Sequence, residues 1–425
     1  MRSVEEALRT VLDNTKVLGT ERIPIQDSLG RVLGEDVYSN IYLPPWNNSA
    51  MDGYAVRWEN IKDTQKDNPA KLKIVGDIRA GLMPDKPVGD GEAIRIMTGA
   101  PVPDGADTVI RVEDTKTEEK IVSIFKAGRQ GENIRKKGEN VKKGDLVLTK
   151  GTSIGPGQLG SMAMLGKPVV TVHRKPVVMV MSTGDELADL DEALTENKIP
   201  NSNSYTVASQ VLEAGGIPHV LGIARDNKES LREKIGQGLE GDMLIVSGGV
   251  SVGDYDFVKD ILKEYGIDMK FWTVGIKPGH PIAFGLVGDK PIFGLPGNPV
   301  STMVTFEVFA RPAIQKMCGH TDLFRAVVDA IAEEEFSDRP GRTHYVRSIV
   351  SYKDGEYYVK STGTQGSGVL MSMAYANCFM VLPPDKEKVL AGEIVKVQLL
   401  GRPISYETQP LEYKTIKKDH GHDCC

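Results

Sequence analysis

The chain has too few cysteines for a disulfide framework and no stretch that resembles an export signal. Only four of its 425 residues are cysteine, and two of these are the last two residues. The opening sequence MRSVEEALRT has no apolar segment of the kind that a secretory signal peptide needs. Because both features of secreted proteins are missing, we expect the protein to act in the cytoplasm.

Long apolar runs and an excess of positive charge are also missing. No run approaches the roughly 18 apolar residues that cross a bilayer, and the formal net charge is -6. A negatively charged chain binds nucleic acid and anionic membranes poorly, so we expect neither as a partner. The 40% hydrophobic and 26% charged residues are ordinary values for a globular protein. A chain of this length is expected to form roughly three domains.

Two common nucleotide-binding signatures are absent as well. The sequence contains no GxxxxGK[ST] motif, which argues against an ordinary P-loop nucleotide hydrolase. No GxGxxG follows the first strand of the α/β segment described below, which argues against a nicotinamide enzyme.

The first 175 residues combine short helices with short β-type runs. A capping box from Ser3 to Glu6 predicts an opening helix, and a second short helix is predicted over residues 27–33. Residues 43–56, LPPWNNSAMDGYAV, fit no periodic pattern and predict a structured loop whose one carboxylate is Asp52. The alternative is a plain surface turn. Short runs between glycines and prolines over residues 72–148 predict antiparallel sheets or a small barrel.

From Lys175 onward, strands and helices alternate, which is typical of a doubly wound α/β domain with a mainly parallel sheet. The loops STGDEL (182–187), SGGVSVGDYD (247–256) and GIKPGHP (275–281) each follow a predicted strand. Ligands of such domains bind at the carboxyl ends of the strands. We therefore expect the three loops to meet at one mouth.

The segment DMLIVSGGVSVGDYD (242–256) predicts a buried strand, a glycine-rich turn and the start of a helix. Glycines allow backbone N–H groups to line an anion site, to which the helix start adds its positive dipole end. Asp254 and Asp256 would repel a phosphate there unless a divalent cation bridged them. The alternative is an ordinary turn with Asp256 as a helix cap. For Ser251 and Ser301, a hydroxyl that caps the backbone is favoured over a nucleophile.

After residue 319 the pattern becomes short alternating runs, which predict a compact all-β domain over residues 322–405. The polar tail beyond it is predicted to be disordered. His420, His422, Cys424 and Cys425 in the tail offer soft metal ligands, but their spacing fits no closed tetrahedral site. The residues alone thus predict an anionic ligand and Mg²⁺ at the α/β mouth, where carboxylates and glycine loops meet Lys277 and His280.

Eight motifs in fixed order then resemble one family. They are SAMDGYAV, RIMTGAPVP, GADTVIRVED, GENIRKKGENV, MSTGDEL, SGGVSVGDYDFV, KPGHP and GLPGNPVS, and GTQGSGVLMSMAYANCFMVLP follows near the C-terminus. This order is similar to that of the molybdopterin molybdenumtransferases, which comprise the bacterial and archaeal MoeA proteins and the E domains of gephyrin and plant Cnx1. The resemblance extends to about residue 405.

The resemblance implies a multi-domain α/β plus β architecture. It implies an N-terminal helical and linker domain (1–50 and 136–175), a β-rich domain (51–135), a central MogA-like α/β domain that binds molybdopterin (176–321), a C-terminal small β-barrel (322–405) and a tail (406–425). The family forms homodimers. It inserts molybdate into adenylylated molybdopterin, cleaves the phosphoanhydride with Mg²⁺ or another divalent cation, and releases AMP. Contacts with a molybdopterin adenylyltransferase and with acceptor apo-enzymes are also implied.

The matching motifs carry the family's site residues onto this chain. Asp52 is expected to reach the active site from a loop near the dimer interface, with Glu186 and Asp254 as further catalytic carboxylates. Glu186, Asp254 and Asp256 are expected at the metal. The residues expected to bind the nucleotide, the pterin or molybdate are Thr98, Asp185, Ser202, Gly248, Gly249, Ser251, Gly253, Lys277, His280, Pro296, Asn298, Ser301, Arg347 and Ser367.

Two positions depart from the family pattern. His280 stands where the family's KPGKP has a second lysine, so oxyanion attraction is expected to weaken or to depend on pH. Asn140 stands where the family's GED has an acid, and an amide cannot carry charge or act as a base. Since Asp52, Glu186 and Asp254 are all present, we expect an active enzyme.

Three alternatives remain open from the sequence. Competence-damage-type proteins share the α/β domain, so a nucleotide pyrophosphatase is conceivable, although such proteins lack the SAMDGYAV and MTGAPVP modules found here. A scaffold that binds a partner, as gephyrin does, is a second alternative. The third keeps the chemistry but uses tungstate, which is nearly isosteric with molybdate.

Overall fold

The computed structural model describes residues 1–249 and 257–406. Its described residues divide into two compact units. One unit contains Met1–Arg22, Gly30–Gly34 and the described part of Thr171–Cys425, and the other contains Ile23–Leu29 and Glu35–Val170. None of the helices in these described ranges is long and apolar enough to cross a membrane.

The chain begins with helix α1 (Val4–Asp13), as the capping box predicts. The Ser3 hydroxyl accepts a hydrogen bond from the Glu6 amide, and the Glu6 carboxylate accepts one from the Ser3 amide. The helix predicted over residues 27–33 is wrong. In its place, a single 3₁₀ turn (Ile25–Asp27) is followed by a tight turn at Gly30, whose positive φ of 74° interrupts any helix.

The unit containing Glu35–Val170 is dominated by short strands, as predicted. Residues 53–56, which belong to the predicted irregular loop, form a fully buried strand instead. The elements up to this point are β1 (Thr20–Pro24), β2 (Val37–Tyr38), β3 (Asn48–Ser49), β4 (Gly53–Val56), β5 (Ala70–Ile78), β6 (Glu92–Ile96), β7 (Thr108–Arg111), β8 (Thr115–Glu118), β9 (Ile121–Ile124), β10 (Ile134–Arg135), β11 (Leu146–Leu148) and α2 (Pro156–Met164). Six of these strands form one sheet in the order β7-β4-β6-β5-β9-β8, in which β4 is central to the apolar core.

The α/β alternation predicted from Lys175 onward is confirmed. Its elements are β12 (Val169–His173), β13 (Val177–Thr183), β14 (Leu187–Ala188), β15 (Ile199–Pro200), α3 (Ser202–Glu213), β16 (Ile217–Ala224), α4 (Lys228–Gly238), β17 (Met243–Ser247), α5 (Phe257–Glu264), β18 (Asp268–Phe271), β19 (Ile276–Lys277), β20 (Ala283–Val287), β21 (Lys290–Leu295), α6 (Pro299–Thr305) and α7 (Arg311–Met317). A π-helical turn, Phe306–Ala310, joins the last two helices.

The central sheet has six strands in the order β16-β13-β17-β21-β20-β18. The first four run parallel, and β20 and then β18 extend one edge of the sheet through two antiparallel pairings. Strand β17 is buried along its whole length, which is why its sequence MLIVS is apolar rather than alternating. Apolar clusters cover both faces of the sheet, so the sheet is a rigid support for the loops at its carboxyl edge.

The C-terminal region forms a closed five-stranded β-barrel, which confirms the prediction of a small barrel. The remaining elements are β22 (Val327–Ala332), β23 (Phe336–Ser337), β24 (Thr343–Lys353), β25 (Glu356–Ser361), α8 (Met371–Tyr375), β26 (Cys378–Leu382), β27 (Lys388–Val389), β28 (Ile394–Leu399) and β29 (Ser405–Tyr406). The five strands follow one another around the ring in the order β24-β25-β22-β28-β26. The ring closes because β26 also pairs with β24. Closure removes the free edges that an open sheet of this size would expose.

Candidate active site

A cleft of about 740 Å³ lies at the carboxyl ends of the parallel strands β13, β16, β17 and β21. This is the mouth that the sequence predicts. The lining residues are Thr183, Gly184, Glu186, Leu187, Ile199, Asn203, Asp226, Ser247, Gly248, Gly249, Pro281, Pro296, Gly297 and Asn298. The predicted residues Glu186, Gly248, Gly249, Pro296 and Asn298 are therefore brought together.

The floor of the cleft contains two glycines that no other residue can replace without strain. Gly248 and Gly249 have φ angles of 89° and 64°, and a Cβ on either would lie within 2.8 Å of Thr183 atoms. The Gly248 amide donates to the Leu295 carbonyl at 3.0 Å, which fixes the turn to the neighbouring strand. The predicted residues Ser251, Gly253, Asp254 and Asp256 lie outside the described residues.

Three carboxylates gather at one side of the cleft. The amide of Asp185 donates to Asp226 Oδ2 at 3.3 Å, and the amide of Asp226 donates to Asp185 Oδ1 at 3.2 Å. Burial raises the pKa of Asp226, and the negative charges of Asp185 and Glu186 raise it further. Among the described residues, no lysine or arginine forms an ion pair with any of the three. A cation from solution would relieve this repulsion.

Basic side chains hold the loop that carries two of these acids, but they do so through its backbone. Lys198 Nζ donates to the carbonyl of Asp185, and Arg225 Nη1 donates to the carbonyl of Leu187 at 2.9 Å. The two basic side chains thus fix the backbone of the loop and form no ion pair with the Asp185 and Glu186 carboxylates.

Two buried polar atoms near the cleft lack a hydrogen-bond partner in the described part of the chain. Asn203 Nδ2 donates to Ser247 Oγ and to the Gly297 carbonyl, both at 2.8 Å. Among the described residues, the buried atoms Asn203 Oδ1 and Thr183 Oγ1 have no hydrogen-bond partner. A buried polar atom without a partner is costly unless a ligand or water satisfies it. Asn203 lines the cleft, whereas the predicted Ser202 is the first residue of helix α3 and does not.

The predicted oxyanion residues fall into a neighbouring group. Asn298 Nδ2 donates to Ser367 Oγ at 3.0 Å, so the barrel loop that carries Ser367 meets the cleft rim. Arg347, in β24 of the barrel, donates from Nη2 to the Gly366 carbonyl in the same loop at 3.4 Å. Ser301 is buried in helix α6. Through Asn298, Ser367 and Gly366, these contacts connect the cleft rim to Arg347.

Arg347 is a buried cation that has no counter-ion among the described residues. Its side chain is 0% exposed, and burial lowers the pKa of its guanidinium to about 10. Within the described chain, its Nη1 has no hydrogen-bond partner and no carboxylate pairs with it. An anion that accepted a hydrogen bond from Nη1 would reduce the cost of burying this charge.

Lys277 and His280 do not line the cleft. The Lys277 ammonium contacts the Asp338 carboxylate, whose other oxygen lies 2.5 Å from Nδ1 of the buried His344. His280 Nδ1 lies 2.9 Å from the Val274 carbonyl, so a neutral ring donates its Nδ1 proton there. Pro281, the next residue, does line the cleft.

His344 is expected to make stability depend on pH. Burial lowers its pKa from 6.5 to about 4, so the unfolded chain takes up this proton first as the pH falls. The free energy of unfolding therefore has its full value above about pH 6.5, where His344 is neutral in both states, and falls as the pH is lowered toward 4. Wild type should therefore lose about 2 kcal/mol more than His344→Gln between pH 7 and pH 5 in urea unfolding. The exposed His219 supplies the control variant, His219→Gln, which should follow wild type. Parallel curves for wild type and His344→Gln would contradict this account.

Asp52 and Thr98 lie in the other compact unit and contact each other. Asp52 Oδ1 accepts from the amide of Thr98 at 2.7 Å and from its hydroxyl at 2.8 Å. The amide, and then the hydroxyl, lower the pKa of Asp52. An exposed carboxylate held charged in this way is ready to bind a cation or a protonated group. The backbone N–H of Asn140, in the same unit, donates to the Leu43 carbonyl at 3.0 Å.

Sequence reasoning missed Asp226 and Asn203. Asp226 lies between the end of β16 at Ala224 and the α4 cap Asn227, whose side chain accepts from the Ser230 amide. The rule that selected the other loops, a polar residue directly after a parallel strand, would have found it. Asn203 is two residues after the α3 cap Asn201, and a sequence gives no sign of which way it points.

Family models and relatives decide the classification. Models described as the MoeA N-terminal region (domains I and II), a probable molybdopterin-binding domain and the MoeA C-terminal region (domain IV) match residues 2–166, 179–316 and 329–400. A molybdopterin molybdenumtransferase of Bacillus subtilis is 35% identical over 93% of this chain and 94% of its own length. The chain belongs to the molybdopterin molybdenumtransferase family. It is therefore an enzyme of molybdenum cofactor biosynthesis.

Other members of the molybdopterin molybdenumtransferase family agree with this. One from a Nostoc species is 36% identical over 89% of this chain and 88% of its own length. A crystal structure of the molybdopterin biosynthesis MoeA protein from Pyrococcus horikoshii matches with a TM-score of 0.80 at 31% identity, over 94% of this chain and 100% of that one. The MoeA architecture with a MogA-like central domain is thereby confirmed.

The family resemblance implies a divalent cation, and the described cleft residues supply part of a ligand set for one. Asp185, Glu186 and Asp226 supply the carboxylate oxygens that Mg²⁺ prefers. In the described ranges, no three acidic, His or Cys side chains are arranged closely enough to complete a metal site by themselves. Asp254 and Asp256, the other two predicted ligands besides Glu186, lie outside those ranges.

Proposed function

We propose that this enzyme inserts molybdate into adenylylated molybdopterin, with cleavage of the phosphoanhydride and release of AMP. The observation that carries the proposal is the composition of the cleft. One part of the cleft offers a glycine turn suited to phosphate and two oxygen atoms without a described hydrogen-bond partner, and another part offers carboxylates that no described lysine or arginine neutralises. Such a pairing suits metal-assisted cleavage of a phosphoanhydride.

The chain's own residues have separate roles in this proposal. The turn at Gly248 and Gly249 holds the phosphates, because its backbone can approach them closely. Asn203 Oδ1 and Thr183 Oγ1 accept hydrogen bonds from the nucleotide. Arg347 and Lys277 attract molybdate, and Ser367 connects that subsite to the cleft through Asn298. This arrangement brings the oxyanion and the phosphoanhydride into adjacent sites.

Carboxylates position the cation. Glu186, Asp226, Asp254 and Asp256 would hold Mg²⁺ or another divalent ion, which neutralises charge on the pyrophosphate when bound. Asp185 supports Asp226 through the reciprocal backbone bonds.

The function is tested by AMP release from adenylylated molybdopterin. Purified enzyme is mixed with the substrate and Mg²⁺ or EDTA, with molybdate, tungstate or neither, and AMP is measured chromatographically. We expect release that needs both the cation and an oxyanion, and the ratio of rates with the two oxyanions gives the preferred metal. Release without any oxyanion would favour the pyrophosphatase alternative. Tight substrate binding without release would favour the scaffold.

We also propose that the enzyme works as a homodimer in which Asp52 acts in the partner's cleft. Support comes from the charged, exposed state of Asp52 and from the family resemblance. A complementation experiment tests this. The Asp52→Ala and Glu186→Gln chains, each expected to be inactive alone, are co-expressed with different tags. A mixed dimer with shared sites has one intact site, so about half of the wild-type activity per dimer is expected. If Asp52 acts within its own chain, the mixed dimer stays inactive.

Two further predictions from the sequence remain predictions. The first is contact with the molybdopterin adenylyltransferase and with acceptor apo-enzymes, which would spare the labile intermediate from solution. The second is cytoplasmic location.

A further inference from the structure

The Lys277 ammonium, expected to attract the oxyanion, already has an anion beside it. Asp338, in the barrel, contacts Lys277 Nζ through Oδ1. Its Oδ2 lies 2.5 Å from His344 Nδ1. The Asp338 side chain is 14% exposed and that of His344 5%, whereas Lys277 is 34% exposed. The lysine is thus the member of the pair that solvent reaches most easily.

Asp338 is fixed, but Lys277 can move. The Asp338 amide donates to the Glu387 carbonyl at 2.9 Å, and the preceding strand β23 pairs with β27. The Phe336 ring lies 5.7 Å from the His344 ring and closes the other side. Lys277 extends along a flexible four-carbon stem. When a second anion competes for the ammonium, the lysine moves and the carboxylate stays.

Charge around this carboxylate is balanced only while Lys277 is present. The charged and titratable groups that act on Asp338 are Lys277 and His344, and His344 also interacts with Arg347. Because burial keeps His344 neutral at pH 7, Lys277 is the single full positive charge in contact with Asp338. Together the two carry no net charge, so the carboxylate cancels the attraction that the lysine would exert on an oxyanion.

We propose that Asp338 is an internal counter-ion for Lys277 that an incoming oxyanion displaces, and that it thereby limits how tightly the oxyanion subsite binds. The proposal rests on the proposed function, which places the oxyanion at Lys277. The carboxylate holds the ammonium in place while the subsite is empty. A dianion outcompetes it, since two charges gain more from Lys277 and Arg347 than one.

The test measures oxyanion binding directly, without substrate or turnover. Full-length wild type and Asp338→Asn are titrated calorimetrically with molybdate (charge −2) and with perrhenate, a tetrahedral oxyanion of charge −1. Asparagine keeps an acceptor for Lys277 but removes the negative charge. We expect Kd to fall about tenfold for molybdate and about threefold for perrhenate, because half the charge gives half the change in free energy.

Matched variants separate a change in oxyanion affinity from a loss of structure. Asp329→Asn removes a carboxylate that pairs with Lys396 at 2.8 Å on the same barrel, and its oxyanion affinities should equal those of wild type. Asp338→Ser replaces Asp338→Asn if the latter fails to fold. Weaker or unchanged binding of both oxyanions, equal gains for both, or no binding by any form would overturn the proposal. AMP release by wild type, measured separately, decides the proposed function independently of these titrations.

Discussion

Glu186→Gln is expected to slow AMP release by at least about 100-fold. Its carboxylate lines the cleft, and no hydrogen bond or ion pair within the described chain occupies it. Glutamine keeps the size of the side chain but loses the charge that a divalent cation needs. Loss of a supporting group around a metal typically costs up to about 100-fold, and loss of a ligand costs more. The rate is measured under saturating Mg²⁺ and molybdate.

The same loop supplies a control for Glu186. Glu192 pairs with Arg225 at 3.6 Å and does not line the cleft, so Glu192→Gln should release AMP at the wild-type rate. Raising the Mg²⁺ concentration should restore part of the activity of Glu186→Gln if the lost group binds the cation. A Glu186→Gln enzyme with wild-type activity would show that Glu186 takes no part in the reaction.

Arg347→Met is expected to raise the molybdate KM by at least about 30-fold without destabilising the fold. Losing one member of a buried charge pair costs about 2 kcal/mol or more in binding. In the absence of molybdate, however, Arg347 is a buried charge with no counter-ion in the described part of the chain, and an apolar side chain of similar volume relieves that cost. Thermal unfolding of Arg347→Met should therefore occur at the wild-type temperature or above it.

Arg311 offers the opposite behaviour. It is 8% exposed, donates to the Leu323 carbonyl at 3.0 Å and lies 3.5 Å from the Glu307 carboxylate. Arg311→Met leaves the Leu323 carbonyl without this donor, while Glu307 keeps its pair with Arg325 at 2.8 Å, so it should lower stability by about 1–3 kcal/mol and leave the molybdate KM unchanged. If Arg347→Met unfolds like Arg311→Met and binds molybdate normally, Arg347 is structural.

Much of the α/β domain is predictable because its signals are local and agree with one another. Helix α4 begins after the cap Asn227 and ends at Gly238, as the pattern predicts. The mouth follows from strand order alone, since parallel strands present their carboxyl ends at one edge. Residues that follow a strand closely, such as Glu186 and Gly248, can therefore be placed at the mouth from the sequence alone.

The errors arise where tertiary contacts decide. A turn at Gly30 replaces the helix predicted over residues 27–33. Part of the loop predicted around Asp52 forms strand β4 instead, because it pairs with β6 and β7. No local pattern shows that Asn203 rather than Ser202 faces the cleft. The role of Asp338 is not predictable either, because its contact with Lys277 joins residues 61 positions apart in the chain.

The most direct test of the account is a single-turnover measurement of AMP and molybdenum together. Enzyme in excess over adenylylated molybdopterin is quenched after reaction with Mg²⁺ and molybdate, and AMP and pterin-bound molybdenum are both quantified. We predict that they appear at the same rate and in a one-to-one ratio, and that Glu186→Gln slows both by at least about 100-fold. AMP without bound molybdenum, or bound molybdenum without AMP, would contradict it.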